Sequence, residues 1–174
     1  AIWIHPNDPE KSLLLGTDKH GGLLVYDMEG RPLQVVSDGC CPDNVDVLYG
    51  FPLAGATVDL AVAACRDGKS RGLKIWRIDP ATRRLEDVTA NGVIVVFNKS
   101  EPYGSGVYHS RISGKYYAFV NNKRGQQEQY ELKEVAGKVG GTKVRSFKVG
   151  SQTEGCVGDD DAGVDEGCGA GGVG

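Results

Sequence analysis

No run of 18 or more apolar residues occurs in the 174-residue chain, which excludes a membrane-spanning helix. No basic segment precedes an apolar one behind Ala1, so no leader is legible and the chain reads as a mature protein or an internal piece. Helical periodicity is nearly absent. Cys-x-x-Cys is missing, and no Cys/His spacing suits zinc. No glycine-rich loop opens a helix, which argues against nucleotide binding. His5, His20 and His109 stand far apart, and no Ser-His-Asp arrangement can be argued from them. Neither a nucleic acid nor a membrane is expected as a partner.

What is abundant is glycine, 26 of 174 residues, roughly twice the average share of about 7%. Eight of these lie in the last twenty residues, a stretch that can bury little surface. The net charge of −3 is also uneven. Beyond Lys148 there is no Lys or Arg but six acids: Glu154, Asp159, Asp160, Asp161, Asp165 and Glu166. Without them 17 acids face 20 bases, so residues 1–148 carry +3. The acidic run fails the EF-hand pattern, with Gly163 and Ala170 where acids are needed, and reads as solvated. Five cysteines (Cys40, Cys41, Cys65, Cys156 and Cys168) form an odd set. Adjacent Cys40 and Cys41 rarely bond each other, and the five read as small buried or turn thiols that leave the redox compartment open.

Short apolar or alternating runs rich in Val, Ile, Leu, Tyr and Trp, cut by Gly, Pro, Asn and Asp, predict an antiparallel all-β fold. Three segments repeat one unit. Leu13–Lys19 is followed by Leu23–Tyr26 and Leu33–Val36; Leu60–Arg66 by Leu73–Trp76 and Leu85–Val88; Tyr117–Lys123 by Gln127–Tyr130 and Lys143–Val149. Each unit reads strand, loop, aromatic-ended strand, turn, strand. The ends at residues 19, 66 and 123 give a period of about 50, the signature of a β-propeller with one blade per repeat. Tyr26, Trp76 and Tyr130 at matching strand ends read as packing between blades.

The first strand of every unit ends in a cation: Lys19, Arg66 and Lys123. With these strands innermost, the three cations meet as a positive ring at one end of the channel, a charge arrangement that calls for a polyanion or an acid cluster. Nearby in type, Ser-Gln-Thr-Glu-Gly-Cys at 151–156 sets one carboxylate beside a glycine turn, able to neutralise a cation or to hold a hard metal.

Ordered segments then carry a resemblance. Ala-Ile-Trp-Ile at 1–4, Gly-Thr-Asp-Lys at 16–19, Gly-Leu-Leu-Val-Tyr-Asp at 22–27, Asn-Val-Asp at 44–46 and Val-Asp-Leu-Ala-Val-Ala at 58–63 are joined by Pro-Tyr-Gly at 102–104, Gly-Lys-Tyr-Tyr-Ala-Phe-Val at 114–120, Gln-Tyr-Glu-Leu at 129–132 and Ser-Gln-Thr-Glu-Gly-Cys-Val at 151–157. Through them the chain resembles the β-propeller phytases, calcium-dependent alkaline enzymes of bacteria, from Ala1 to about Asp161. The resemblance implies a six-bladed propeller, of which about three blades are present here, with residues 162–174 an unrelated, disordered glycine-rich tail.

It also implies roles. Lys19, Arg66 and Lys123 match phosphate-contacting cations, the same three that the repeats single out. Tyr103 and Glu154 match ligands of the catalytic calcium cluster, and Val45 a backbone-carbonyl ligand of a structural calcium. The implied activity is release of phosphate from phytate (myo-inositol hexakisphosphate), as its calcium complex, by water that bound calcium activates. The implied protein is a secreted or periplasmic monomer. Departures are Leu48 in place of arginine, Gly106 in place of a common cysteine, and a different sequence after Asp161. Two rivals remain: a non-catalytic propeller that only binds phosphate or calcium, and another propeller hydrolase such as a lactonase, which needs no aligned cations.

Overall fold

The computed structural model describes residues 1–66, 70–158 and 168–169. The expected boundary at 161 and nearly all of the acidic, glycine-rich end lie outside the described residues. Among the described residues there is no α-helix. The chain forms three antiparallel four-stranded sheets in which each strand pairs with the next in sequence. These are the blades of a partial β-propeller. The first contains β1 (Ile2–Trp3), β2 (Leu13–Asp18), β3 (Gly22–Tyr26) and β4 (Pro32–Val36). The second contains β5 (Pro42–Leu53), β6 (Ala56–Cys65), β7 (Gly72–Asp79) and β8 (Arg84–Asp87). The third contains β9 (Ser105–His109), β10 (Tyr116–Asn121), β11 (Gln126–Val135) and β12 (Lys138–Lys148). A two-residue pair, β13 (Val157–Gly158) with β14 (Cys168–Gly169), follows.

Strand sequence and side-chain alternation explain the stacking. Successive residues of a strand face opposite sides of its sheet, and β6 shows this across two cores. Leu60, Val62 and Ala64 join the cluster between the second and third blades. Ala61, Ala63 and Cys65 join the cluster with Trp3, Leu13, Leu15, Leu23 and Val25 of the first. A strand buried on both faces loses its polar alternation, which is why 60–65 reads as continuous apolar sequence. Trp76 and Tyr130 are buried in these two clusters, as the inter-blade reading requires, whereas Tyr26 is only half-buried.

Two expectations are corrected. The repeated unit has three strands in the sequence, but every blade has four, and the cation-ending strands β2, β6 and β10 stand second. The strands most closely packed across blades are β5 with β9 and β5 with β2. The missing strand was illegible because β1 is two residues long and β5 carries Pro, Asp and Gly among its apolar residues. The cysteines are not all thiols: Cys40 and Cys65 form a disulfide, and Cys156 is also disulfide-bonded, while Cys41 is free. The pairing joins residues 25 apart in sequence, because β5 antiparallel to β6 sets the start of one strand beside the end of the other.

Polar side chains seal the seam between the second and third blades. Asn44 of β5 behaves as a strand backbone toward β9. Its Nδ2 donates to Ser105 O at 2.5 Å and its Oδ1 accepts from Ser105 N at 2.9 Å. Asp46 Oδ2 accepts from Val107 N at 3.1 Å. The Asn-Val-Asp segment therefore stitches the second blade to the third, while the Val45 side chain turns into the core shared with the first blade.

Candidate active site

The three cations leave their strands at one end of the molecule. Lys19 follows β2 directly, Arg66 follows β6 directly, and Lys123 lies two residues beyond β10. Equivalent strands of stacked blades run the same way, so the positions after them gather.

What they gather around is partly an acid that the repeats do not contain. Asp43, near the start of β5, has a side chain only 8% exposed and pairs with both Lys19 and Arg66. Lys19 Nζ lies 2.9 Å from Oδ1, and Arg66 Nη1 donates to Oδ1 at 3.1 Å and to Oδ2 at 3.2 Å. The hydrogen bond and charge of Asp43 hold the Lys19 ammonium above its ordinary pKa. Thr17 Oγ1 donates to the Asp43 carbonyl at 3.0 Å, and Arg66 N donates to Cys41 O at 3.3 Å. Both ends of the ion pair are thus fixed by backbone, beside the Cys40–Cys65 disulfide.

The second centre is Tyr103, nearly buried. Lys19 Nζ and Lys123 Nζ lie over its ring at 5.7 and 5.2 Å from the centroid, within cation–π range. Its hydroxyl donates to Glu154 Oε1 at 3.2 Å. Lys123 is also 3.6 Å from Glu101. Glycine is what lets Glu154 approach. Tyr103 N donates to Asn121 O, Asn121 N donates to Gly104 O, and Gly104 N donates to the Asn121 side chain, so the Pro-Tyr-Gly segment is laced to the end of β10. A Cβ on Gly104 would stand 1.8 Å from the Glu154 carbonyl oxygen, and one on Gly106 would stand 2.2 Å from that of Cys156. Gly106 is therefore demanded by the neighbouring chain. Buried Thr153 accepts from Gln127 Nε2 at 2.6 Å and holds the same segment from the other side.

Five of the six residues singled out in the sequence are thus brought together: Lys19, Arg66, Tyr103, Lys123 and Glu154. Val45 lies apart from them, two positions along β5 from Asp43, with its side chain in the core. Asp43 and Glu101 were missed. The signal for Asp43 was the clustering of three cations, which requires a counter-charge but does not say which acid supplies it. An open cleft of about 230 Å³ adjoins Lys123, lined by Ser100, Glu101, Asn122, Arg124 and Gln126. Ser100 and Glu101 precede Tyr103, so cleft and cation cluster are continuous.

A hard cation is a testable occupant. Calcium takes six to eight oxygen ligands, and the Glu154 carboxylate with the Tyr103 hydroxyl offers an all-oxygen pair. No group of three His, Cys, Asp or Glu side chains able to hold a metal occurs among the described residues. The donor chemistry of these two residues fits calcium as part of a shell.

Comparison with known proteins gives two findings. A family model described as Phytase matches residues 1–165. A 3-phytase of Bacillus subtilis (strain 168) is 43% identical over 164 residues, covering 94% of this chain and 43% of the relative. The chain therefore spans less than half the length of that relative.

Proposed function

The chain belongs to the phytase family, and from that premise we propose that it forms the phosphate-gripping part of a calcium-dependent phosphomonoesterase acting on phytate. The observation that carries this reading is the convergence of Lys19, Arg66 and Lys123 on Asp43 and the Tyr103 ring, with Glu154 hydrogen-bonded to the Tyr103 hydroxyl. Phosphoryl transfer leaves little covalent work to side chains, so positioning and charge neutralisation dominate.

Arg66 presents a planar fork suited to two phosphate oxygens, and Lys19, kept protonated by Asp43, adds a second charge to the same group. Lys123 and the cleft beside it take a phosphate on the neighbouring ring carbon. Two adjacent anion positions favour a polyphosphorylated ring, free or as its calcium complex, over a simple monoester. Tyr103 orients the Glu154 carboxylate, and these two residues would hold the catalytic calcium, with the Val45 carbonyl at a separate structural ion. When bound, calcium would add positive charge against the phosphate oxygens and make water a better nucleophile.

The Cys40–Cys65 disulfide supports a secreted or periplasmic location, since such bonds persist in oxidising compartments. A monomer is the proposed state. Among the described residues no helix is long and apolar enough to cross a membrane.

The test is phosphate release from phytate by the full-length protein, with calcium and with a chelator, against p-nitrophenyl phosphate. Calcium-dependent release that favours phytate is expected, and release untouched by the chelator would remove calcium from the reading. The partial coverage of the relative favours one other reading, a module that binds phosphate without cleaving it. Phosphate binding without any release would establish that instead.

A further inference from the structure

The ion pair at the centre of the cation cluster has a consequence for the reaction. Asp43 is deeply placed, and its carboxylate already occupies the position between Lys19 and Arg66. With both nitrogens near one oxygen, at 2.9 and 3.1 Å, the two cations stand no more than about 6 Å apart, close enough that bare like charges would push each other away without a counter-charge between them. That separation also suits two donors gripping one phosphate.

We infer that Asp43 is a positioning residue that holds Lys19 and Arg66 at a phosphate-sized spacing and stands in for the phosphate before substrate arrives. The inference rests on the phosphomonoesterase reading for its kinetic consequences. The two cations differ in how they can respond. Arg66 contacts both carboxylate oxygens from a side chain 17% exposed, whereas Lys19 contacts one of them from a side chain 52% exposed. Lys19 is therefore the partner that turns to an incoming phosphate, while Asp43 keeps Arg66 in place. Asp43 itself is pinned by three neighbours outside the ion pair. Its carbonyl accepts from Thr17, the next residue, Asn44, is bonded twice to Ser105 of β9, and Cys40 is cross-linked to Cys65. A counter-ion needed only for solubility would have no such anchorage.

This role makes a prediction opposite in sign to simple electrostatics. Removing a carboxylate beside an anion site should, by Coulomb's law alone, tighten phosphate binding. Removing a spacer should let the cations separate and weaken both grip and turnover. The experiment compares wild type, Asp43→Asn, Lys19→Ala and the double variant in the full-length protein. Readouts are kcat and KM for phytate with calcium present, calorimetric binding of inorganic phosphate, and thermal unfolding as a control for folding.

Asp43→Asn should lower kcat by about 10- to 100-fold, as an ångström-scale misplacement does, and weaken inorganic phosphate several-fold. On the Lys19→Ala background the same change should cost measurably less but not vanish, because its effect passes partly through Lys19 and partly through Arg66. A merely structural role would give additive losses that follow the unfolding temperature, and would overturn the inference. Tighter phosphate binding with unchanged kcat would also overturn it. If wild type releases no phosphate from phytate, the enzyme reading fails separately. Weaker phosphate binding by Asp43→Asn would then still uphold the spacer, and equal or absent binding would refute it.

Discussion

Glu128 on β11 provides a test of how the approach to the site is held. The backbone at Phe97, Asn98 and Lys99 has φ of 47°, 50° and 71°, three successive left-handed residues without a glycine. Each such residue costs roughly 1–2 kcal/mol, so the turn persists only if its surroundings hold it. The Glu128 side chain, 8% exposed, is the holder. Its Oε2 accepts from Phe97 N at 2.8 Å and from the Tyr130 hydroxyl at 2.6 Å, and its Oε1 accepts from Lys143 Nζ at 3.0 Å. Removing the carboxylate with Glu128→Ala orphans the Phe97 N–H beside the buried Phe97 ring and leaves Tyr130 only Val95 O, 3.3 Å away. The expected loss is about 3–5 kcal/mol, the range for breaking a buried charged network. Glu128→Gln keeps one acceptor oxygen and should cost about 1–2 kcal/mol. With a urea slope of ~2 kcal/mol/M, the alanine change moves the unfolding midpoint by ~1.5–2.5 M, readable from the buried Trp3 and Trp76 fluorescence.

Acid gives a second readout of the same network. Burial pushes the Glu128 carboxyl up, but the bonds from Tyr130, Phe97 N–H and Lys143 outweigh it, and its pKa is held below the ordinary 4.5. A depressed carboxylate contributes stability above its unfolded pKa and loses it as pH falls through the folded value. Wild type should therefore lose stability below about pH 4.5 more steeply than Glu128→Gln does. An alanine change costing under about 0.5 kcal/mol, the ordinary surface range, would refute the reasoning, as would identical acid profiles for wild type and Glu128→Gln.

Three further outcomes follow from the packing. Gly104→Ala, whose Cβ would stand 1.8 Å from Glu154 O, should force that segment away by over an ångström and lower phosphate release by about 100-fold in a folded protein; release within threefold of wild type counts against the Tyr103–Glu154 contact. Lys74, 5% exposed and bonded to Asp38 and Asp87, whose own side chains are 31% and 38% exposed, should cost about 1–3 kcal/mol when changed to Met at neutral pH, because water partly screens the carboxylates left behind. That cost should shrink as acid protonates Asp87, because its pKa, raised by burial but lowered further by Lys74, gives wild type an advantage that is present above the unfolded carboxylate pKa and lost as pH falls through the folded value. A pH-independent cost in urea titrations would contradict this. Cys40→Ser should lose about 3–4 kcal/mol through the freed loop, and a reductant should shift wild-type unfolding toward the variant; no shift would mean that the cross-link adds nothing.

How much could be read without coordinates depended on whether a signal was local. Strand type was legible in Leu60–Cys65 and Tyr116–Asn121 because burial on both faces leaves apolar runs. Lys19, Arg66 and Lys123 were legible because repetition puts chemically like residues at like positions. β1 and β5 were not legible as blade strands, since one is two residues long and the other interrupts its apolar residues with Asn44, Asp46 and Gly50. Their polar groups make sense only against the next blade, where Asn44 and Asp46 meet β9. The Cys40–Cys65 link was likewise invisible, because it depends on the antiparallel register of two strands.

The sequence by itself determined an all-β repeat architecture, its blade period, and the residue types able to grip phosphate, because those follow from side-chain periodicity and from charge at repeated positions. Only the tertiary structure decided which strands meet across blades and which acid neutralises the cations. It also decided that Tyr103 lies beneath two ammonium groups with Glu154 at its hydroxyl. Each of these is a distance between residues tens of positions apart, set by blade stacking and by the room that Gly104 leaves, and no local pattern encodes such a distance.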